Sequence, residues 1–194
     1  MTIQLRDRGY DVTGIDASPA MLARARDTLG PEADLRLAVL PDLPIEDTFD
    51  AAVSTLDGLN YLTLDDLRLT LAALAERIRR GGWLVFDIHT PAALRLLADN
   101  PLIAGEQDGS SFTLSSVVDE ATGRCATTIM LDAPIPEQSF VEEHVQYVHP
   151  PADVHEALID AGFTVVAVTD EYTDDPVTPQ TLRSAWVARR DADG

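Results

Sequence analysis

Residues 9–22, GYDVTGIDASPAML, put a carboxylate where it can hold a diol. Tyr10, Val12, Gly14 and Ile15 run through a short apolar-alternating strand that ends in Asp16. Ser18 then stands ready to cap a helix whose first position is Pro19. At the C-terminal end of the second strand of an open α/β sheet, such a carboxylate accepts from the two vicinal hydroxyls of a cofactor ribose. Each charge-assisted bond of this kind contributes roughly 1.5–3 kcal/mol, so losing the side chain should weaken binding on the order of a hundredfold. The plainer alternative is a surface Asp that only helps Ser18 cap the helix.

Asp57-Gly58-Leu59-Asn60-Tyr61 carries polar groups where a short apolar strand opens into a loop. Loops at the C-terminal ends of parallel strands are natural places for ligand contacts, which makes Asn60 and Tyr61 candidates for substrate. The competing reading has Asn60 and Asp57 satisfying local backbone. Asp87 and His89, in FDIHT, close the next strand, and His89 is a further substrate candidate. On the segment 139–149, Phe140, Glu142, His144 and Gln146 share one face of a strand, with Tyr147 on the other. A His beside a Glu can deprotonate an amine or hydroxyl, so His144 is both a substrate candidate and the one weak catalytic candidate; a structural His is the plainer reading. Cys125 reads as a structural thiol. No metal site is expected, because the four histidines are dispersed and no HxH, CxxC or HExxH occurs.

These residues need elements to place them. Residues 1–9 read as the end of a helix stopped by Gly9, before strand 10–16 and helix 19–29. Strand 34–40, a loop punctuated by Pro41 and Pro44, and strand 51–55 follow. Helix 64–80 has the clearest pattern: Leu64, Leu67, Leu71, Leu74 and Ile78 form a stripe, arginines close it and Gly81-Gly82 stop it. Strand 83–88 and helix 91–99 complete an alternation that implies a parallel sheet. From about 110 to 149 a hairpin and a third strand form an insertion expected to cover the site and set substrate choice. Helix 151–161, strand 163–169 and strand 181–189 end in an antiparallel pair at one sheet edge.

The 194 residues suit a single domain, 1–194, with 45% hydrophobic and 24% charged residues. Thirty-three acids against fourteen bases give a net charge of −19, which repels nucleic acid and anionic lipid. A solubilising surface is the plain reading of that charge, and steering of a cationic substrate the sharper one. No run approaches the roughly 18 apolar residues of a membrane span, and MTIQLRDRG lacks a secretory h-region. With a lone cysteine, a reducing cytoplasmic setting is expected. Lysine is absent from the sequence, which excludes a Schiff-base or P-loop lysine in it.

The runs RDRGYDVTGIDASPAMLARAR, TFDAAVSTLDGLNYL and RRGGWLVFDIHTP, in this order and spacing, together resemble class I S-adenosylmethionine-dependent methyltransferases over essentially the whole chain. The resemblance implies an α/β, Rossmann-like seven-stranded sheet whose last strand is antiparallel. It implies that Asp16 holds the cofactor ribose and that Ala17 and Met21 lie against the adenine. Leu56 and Asp57 would line the cleft beside the methionine part and the methyl group. Two departures stand out. The family's first strand and glycine-rich turn have no counterpart here, since no two glycines are separated by one residue. The acid that often receives the adenine amino group is replaced by Val39, which leaves backbone groups at Leu40 to read that edge.

Removing a central strand would leave buried N–H and C=O groups unpaired, at roughly 1–3 kcal/mol each. A late chain start, direct re-pairing of the second and fourth strands, or a strand from a partner chain would each answer this. The expected function is S-adenosylmethionine-dependent methyl transfer to a small-molecule acceptor, without nucleic-acid or membrane partners and with a homodimer left open. A non-catalytic member with a degraded cofactor site, and a nicotinamide-dependent oxidoreductase using Asp16, are the rivals.

Overall fold

Gly9 ends the opening helix as its position demands. In the computed structural model, which describes residues 1–192, helix α1 covers Thr2–Asp7. Strand β1 (Thr13–Asp16), helix α2 (Pro19–Leu29) and strand β2 (Asp34–Leu37) follow. The Ser18 hydroxyl accepts from the Met21 N–H at 3.3 Å, and buried Leu22 anchors α2. β1 pairs in parallel with β2, Asp16 facing Leu37. Both strands are shorter than the sequence patterns 10–16 and 34–40 suggest, because each has a partner along one edge only. Past β2, the Ala38 N–H donates to the Asp16 carbonyl at 3.1 Å, which keeps the following residues beside the tip of β1.

These elements make one compact unit, Met1–Glu46; the chain from Asp47 on makes a second. The described strands fall in separate sheets, and β1 hydrogen-bonds with β2.

The second unit opens with strand β3 (Phe49–Ser54), a 3-10 turn over Gly58–Tyr61 and helix α3 (Leu64–Arg77). Thr63 caps α3 by accepting from the Asp66 N–H at 3.2 Å, and Leu67, Leu71 and Ala75 are its buried residues of the apolar face. The helix stops at Arg77, three residues short of the sequence expectation. Ile78 is already extended and pairs with Phe49, so Ile78 to His89 form strand β4. Gly82 therefore lies inside a strand, where a Cβ would come within 2.6 Å of the Asp50 carbonyl oxygen.

Helix α4 (Pro91–Asp99) leads into an antiparallel sheet of β5 (Leu102–Gln107), β6 (Ser110–Asp119), β7 (Arg124–Asp132) and β8 (Phe140–Tyr147), paired in that order. The insertion thus starts at Leu102 rather than 110. PLIAGEQ has no alternation to announce β5, which is fixed by its register with β6, from Leu102 opposite Ser115 to Gln107 opposite Ser110. Helix α5 (Pro151–Asp160), strand β9 (Phe163–Asp170) and strand β10 (Arg183–Arg190) complete the chain. The main sheet runs β3-β4-β10-β9, with β3 and β4 parallel and β10 antiparallel to both neighbours. The antiparallel terminal strand read from the sequence is therefore present. Phe86 and Trp186 stack across the β4–β10 pair with centroids 6.0 Å apart, beside fully buried Leu84, Ile88 and Phe163. Among the described residues, no helix is long and apolar enough to cross a membrane.

Candidate active site

In the first unit, Asp16 sits at the end of β1 with one carboxylate oxygen, Oδ1, accepting the Ser18 N–H at 2.7 Å. No hydrogen bond to protein is recorded for its other oxygen among the described residues. Exposed apolar side chains lie on the flanking segments: Met21 on α2, Leu37 at the end of β2, and Val39 beyond it, the last 61% exposed. Ala17 is exposed and Leu40 half-buried. A carboxylate at a strand tip, among uncovered apolar groups, suits a ribose and a flat base.

The second unit binds its polar candidates to one another. Leu56 and Asp57 both take left-handed backbone, with φ of 62° and 64°, directly after β3. Asp87, with no exposed surface, holds that bend: its carboxylate accepts the N–H groups of Leu56 at 2.8 Å and Asp57 at 2.7 Å and the hydroxyl of Tyr172. Without those bonds, two consecutive non-glycine residues in this region would be costly. The Asp57 carboxylate in turn receives Arg183 Nε at 2.6 Å and Nη2 at 3.0 Å, and His89 Nε2 lies 3.2 Å from it. Burial alone would raise the Asp57 carboxyl, but His89 and Arg183 more than offset this and hold it down to about 2. Tyr172 is pushed above the ordinary phenol range by burial and then by its bond to Asp87. The 71% exposed side chain of Leu56 is what this clamp presents to solvent.

Asn60 is completely buried. Its Nδ2 donates to the Tyr147 carbonyl at 2.7 Å, and its Oδ1 accepts the His89 N–H at 2.8 Å. It therefore ties the turn after β3 to both β8 and the end of β4, and no part of its side chain remains for a substrate. His89, also read as a substrate contact, has its ring on Asp57 and only 19% of its side chain exposed. Tyr61 and His144 differ. Tyr61 Oη lies 2.7 Å from His144 Nδ1, their rings meet edge to face at 5.9 Å, and His144 Nε2 lies 3.3 Å from Glu142. Tyr61 is half exposed, and its phenol is raised by burial first and then by the Asp57 and Glu142 charges. Sequence reading named Tyr61 and His144 separately but had no signal to join them. It also missed Arg183 and Tyr172, whose roles depend on partners 126 and 85 positions away.

Comparison with known proteins now bears on this arrangement. Residues 1–82 match the family model of a methyltransferase domain. Over 196 aligned residues the chain is 26% identical to YqeM of Bacillus subtilis (strain 168), a methyltransferase by name, spanning 98% of this chain and 79% of that protein. Over these lengths the chain is similar to methyltransferases. Its fold is that of a solved S-adenosylmethionine-dependent methyltransferase from Clostridium acetobutylicum ATCC 824. The TM-score is 0.90 at 21% identity, covering 98% of this chain and 79% of that one. S-adenosylmethionine-bound CalS10, an amino pentose methyltransferase from Micromonospora echinaspora, aligns with TM-score 0.66 at 20% identity, over 92% of this chain and 73% of that one.

Proposed function

We propose that this chain transfers a methyl group from S-adenosylmethionine to a small-molecule acceptor. The observation that carries the reading is Asp16, fixed at the tip of β1 by Ser18 with one oxygen uncommitted and exposed apolar groups on the flanking segments. The resemblance to proteins named as methyltransferases, including one solved with S-adenosylmethionine and acting on an amino pentose, supports it. When bound, the cofactor supplies an electrophilic methyl on a sulfonium, so the protein's part is alignment and exclusion of water.

Asp16 is assigned the ribose hydroxyls, Ala17 and Met21 the adenine faces, and the Leu40 backbone the adenine edge. Leu56 and Asp57 keep their assignment to the methionine part, with Asp57 acting while bound to Arg183. Tyr61 and His144 are assigned to the acceptor. Titration calorimetry with S-adenosylmethionine checks the reading: saturable heat that Asp16→Ala weakens on the order of a hundredfold is expected. No heat at millimolar ligand overturns it.

A further inference from the structure

We propose that Tyr61, His144 and Glu142 form a proton relay serving an acceptor that arrives as an ammonium ion on an apolar body. The proposal deepens the methyltransferase reading and rests on it for one reason: a protonated amine has no lone pair with which to attack a methyl group.

The geometry has the logic of a nucleophile–base–orienter triad. A carboxylate at Glu142 accepts, so the contact at 3.3 Å suits a proton on His144 Nε2. In the neutral ring that leaves Nδ1 as the acceptor for the Tyr61 hydroxyl at 2.7 Å. An ammonium N–H bound at Tyr61 Oη gives its proton to that oxygen while the phenol proton passes to Nδ1. The amine keeps the electron pair, and the positive charge moves to the imidazole, next to Glu142. Atoms and charge balance without another reactant.

Three further observations point to a cation on an apolar frame. First, the Asp57 and Glu142 charges both act on the Tyr61 phenol, and a field that disfavours phenolate favours an ammonium there. Arg183 and His89 lie on the far carboxylate, Asp57, and temper its share of that field. The residues paired with or beside His144 on its face of the sheet, Thr127 and Gln146, are uncharged, so Glu142 is the charge next to the ring.

Second, the same face of the insertion sheet continues past His144 as an apolar wall. Ile129 pairs with Glu142 and Leu131 with Phe140, and Leu114 and Phe112 lie opposite them on β6. Phe140 is 41% exposed. The lower end of this face, at Cys125 and Val118, is closed against Leu94 and Val148, so only the upper end is open to a ligand. Third, the relay joins two elements. Tyr61 sits on the turn after β3, four residues beyond Asp57, and His144 on β8, so a ligand at Oη touches the loop and the insertion together.

The experiment is nitrogen-15 NMR of the histidine rings of the full chain, with His144 assigned through His144→Gln, combined with titration of benzylammonium against its neutral isostere benzyl alcohol. Expected is a neutral His144 with the proton on Nε2 at pH 8, losing that preference in Glu142→Leu, and an Nδ1 resonance that moves in Tyr61→Phe. Benzylammonium should shift the Tyr61 and His144 signals, with binding about three- to fivefold weaker in Glu142→Gln, and benzyl alcohol should shift them markedly less. A proton on Nδ1, no response to benzylammonium, or an equal response to both probes overturns the proposal. None of these readouts needs S-adenosylmethionine, so loss of its calorimetric heat would count against the methyltransferase reading alone.

Discussion

Asp57 and Arg183 stand 126 positions apart in the chain and meet through two parallel bonds, Nε at 2.6 Å and Nη2 at 3.0 Å. Arg183 opens β10, the strand that enters the sheet antiparallel beside β4. Its guanidinium thus reaches back to the residue just past β3, while Asp87 on the intervening strand fixes the backbone of that same residue. A two-point bond of this kind specifies orientation as well as charge. It locks the Leu56–Asp57 bend, and with it the surface that the loop offers a ligand.

Acid sensitivity should follow from that pair. The folded-state Asp57 carboxyl is held at about 2 against an ordinary value of 3.8. Its contribution is therefore complete above the unfolded value and is lost as pH falls through about 2. After discounting for solvent screening, it is worth roughly 1–2 kcal/mol. Acid unfolding followed by circular dichroism should show Arg183→Ala losing stability chiefly above pH 4, with a flatter dependence below it. An unchanged profile would contradict the assignment.

Removal of the Asp87 carboxylate should do more harm than removal of its partner hydroxyl. Asp87→Ala leaves two partly buried N–H groups without this acceptor, at roughly 1 kcal/mol or more each. Tyr172→Phe deletes one donor and should cost about 1 kcal/mol. Urea denaturation of the two variants should rank them in that order.

Asn60→Ala is expected to destabilise by roughly 2–4 kcal/mol, because the Tyr147 carbonyl and the His89 N–H both lose their partner in a fully buried place. Were Asn60 a substrate contact instead, the midpoint of denaturation would stay where it is.

His149 is 5% exposed, and its Nε2 meets the Leu62 carbonyl at 3.0 Å. Burial, the largest influence, lowers its affinity for a proton despite that bond and Asp153. The unfolded chain then binds more protons below the ordinary value of 6.5, so stability at this residue is full above 6.5 and declines as pH drops toward the folded value. Thermal unfolding between pH 5 and 7 should show a Tm that falls with acidity, and His149→Gln should flatten the slope.

Local chemistry made much of the chain legible. Ser18-Pro19 marks a helix start that the structure repeats, because caps depend on neighbours within three residues. The alternation that put Glu142 and His144 on one face holds for the same reason, since a strand's period is two. The end of α3 was misread because Ile78 fits a helical stripe equally well, and its pairing with Phe49, a distant residue, decided the matter.

The sequence by itself determined that Asp16 ends a strand ahead of a capped helix, that the chain closes with an antiparallel strand, and that Tyr61, Asn60, His89 and His144 lie where strands give way to loops or on a strand face. Only the tertiary structure decided their employment. Asn60 and His89 are tied to protein groups, whereas Tyr61 and His144 meet each other at a partly exposed place. The physical reason is range: periodicity and capping act over a few residues, but hydrogen bonds join whatever the fold brings within about 3 Å, and that is set by strand order and register.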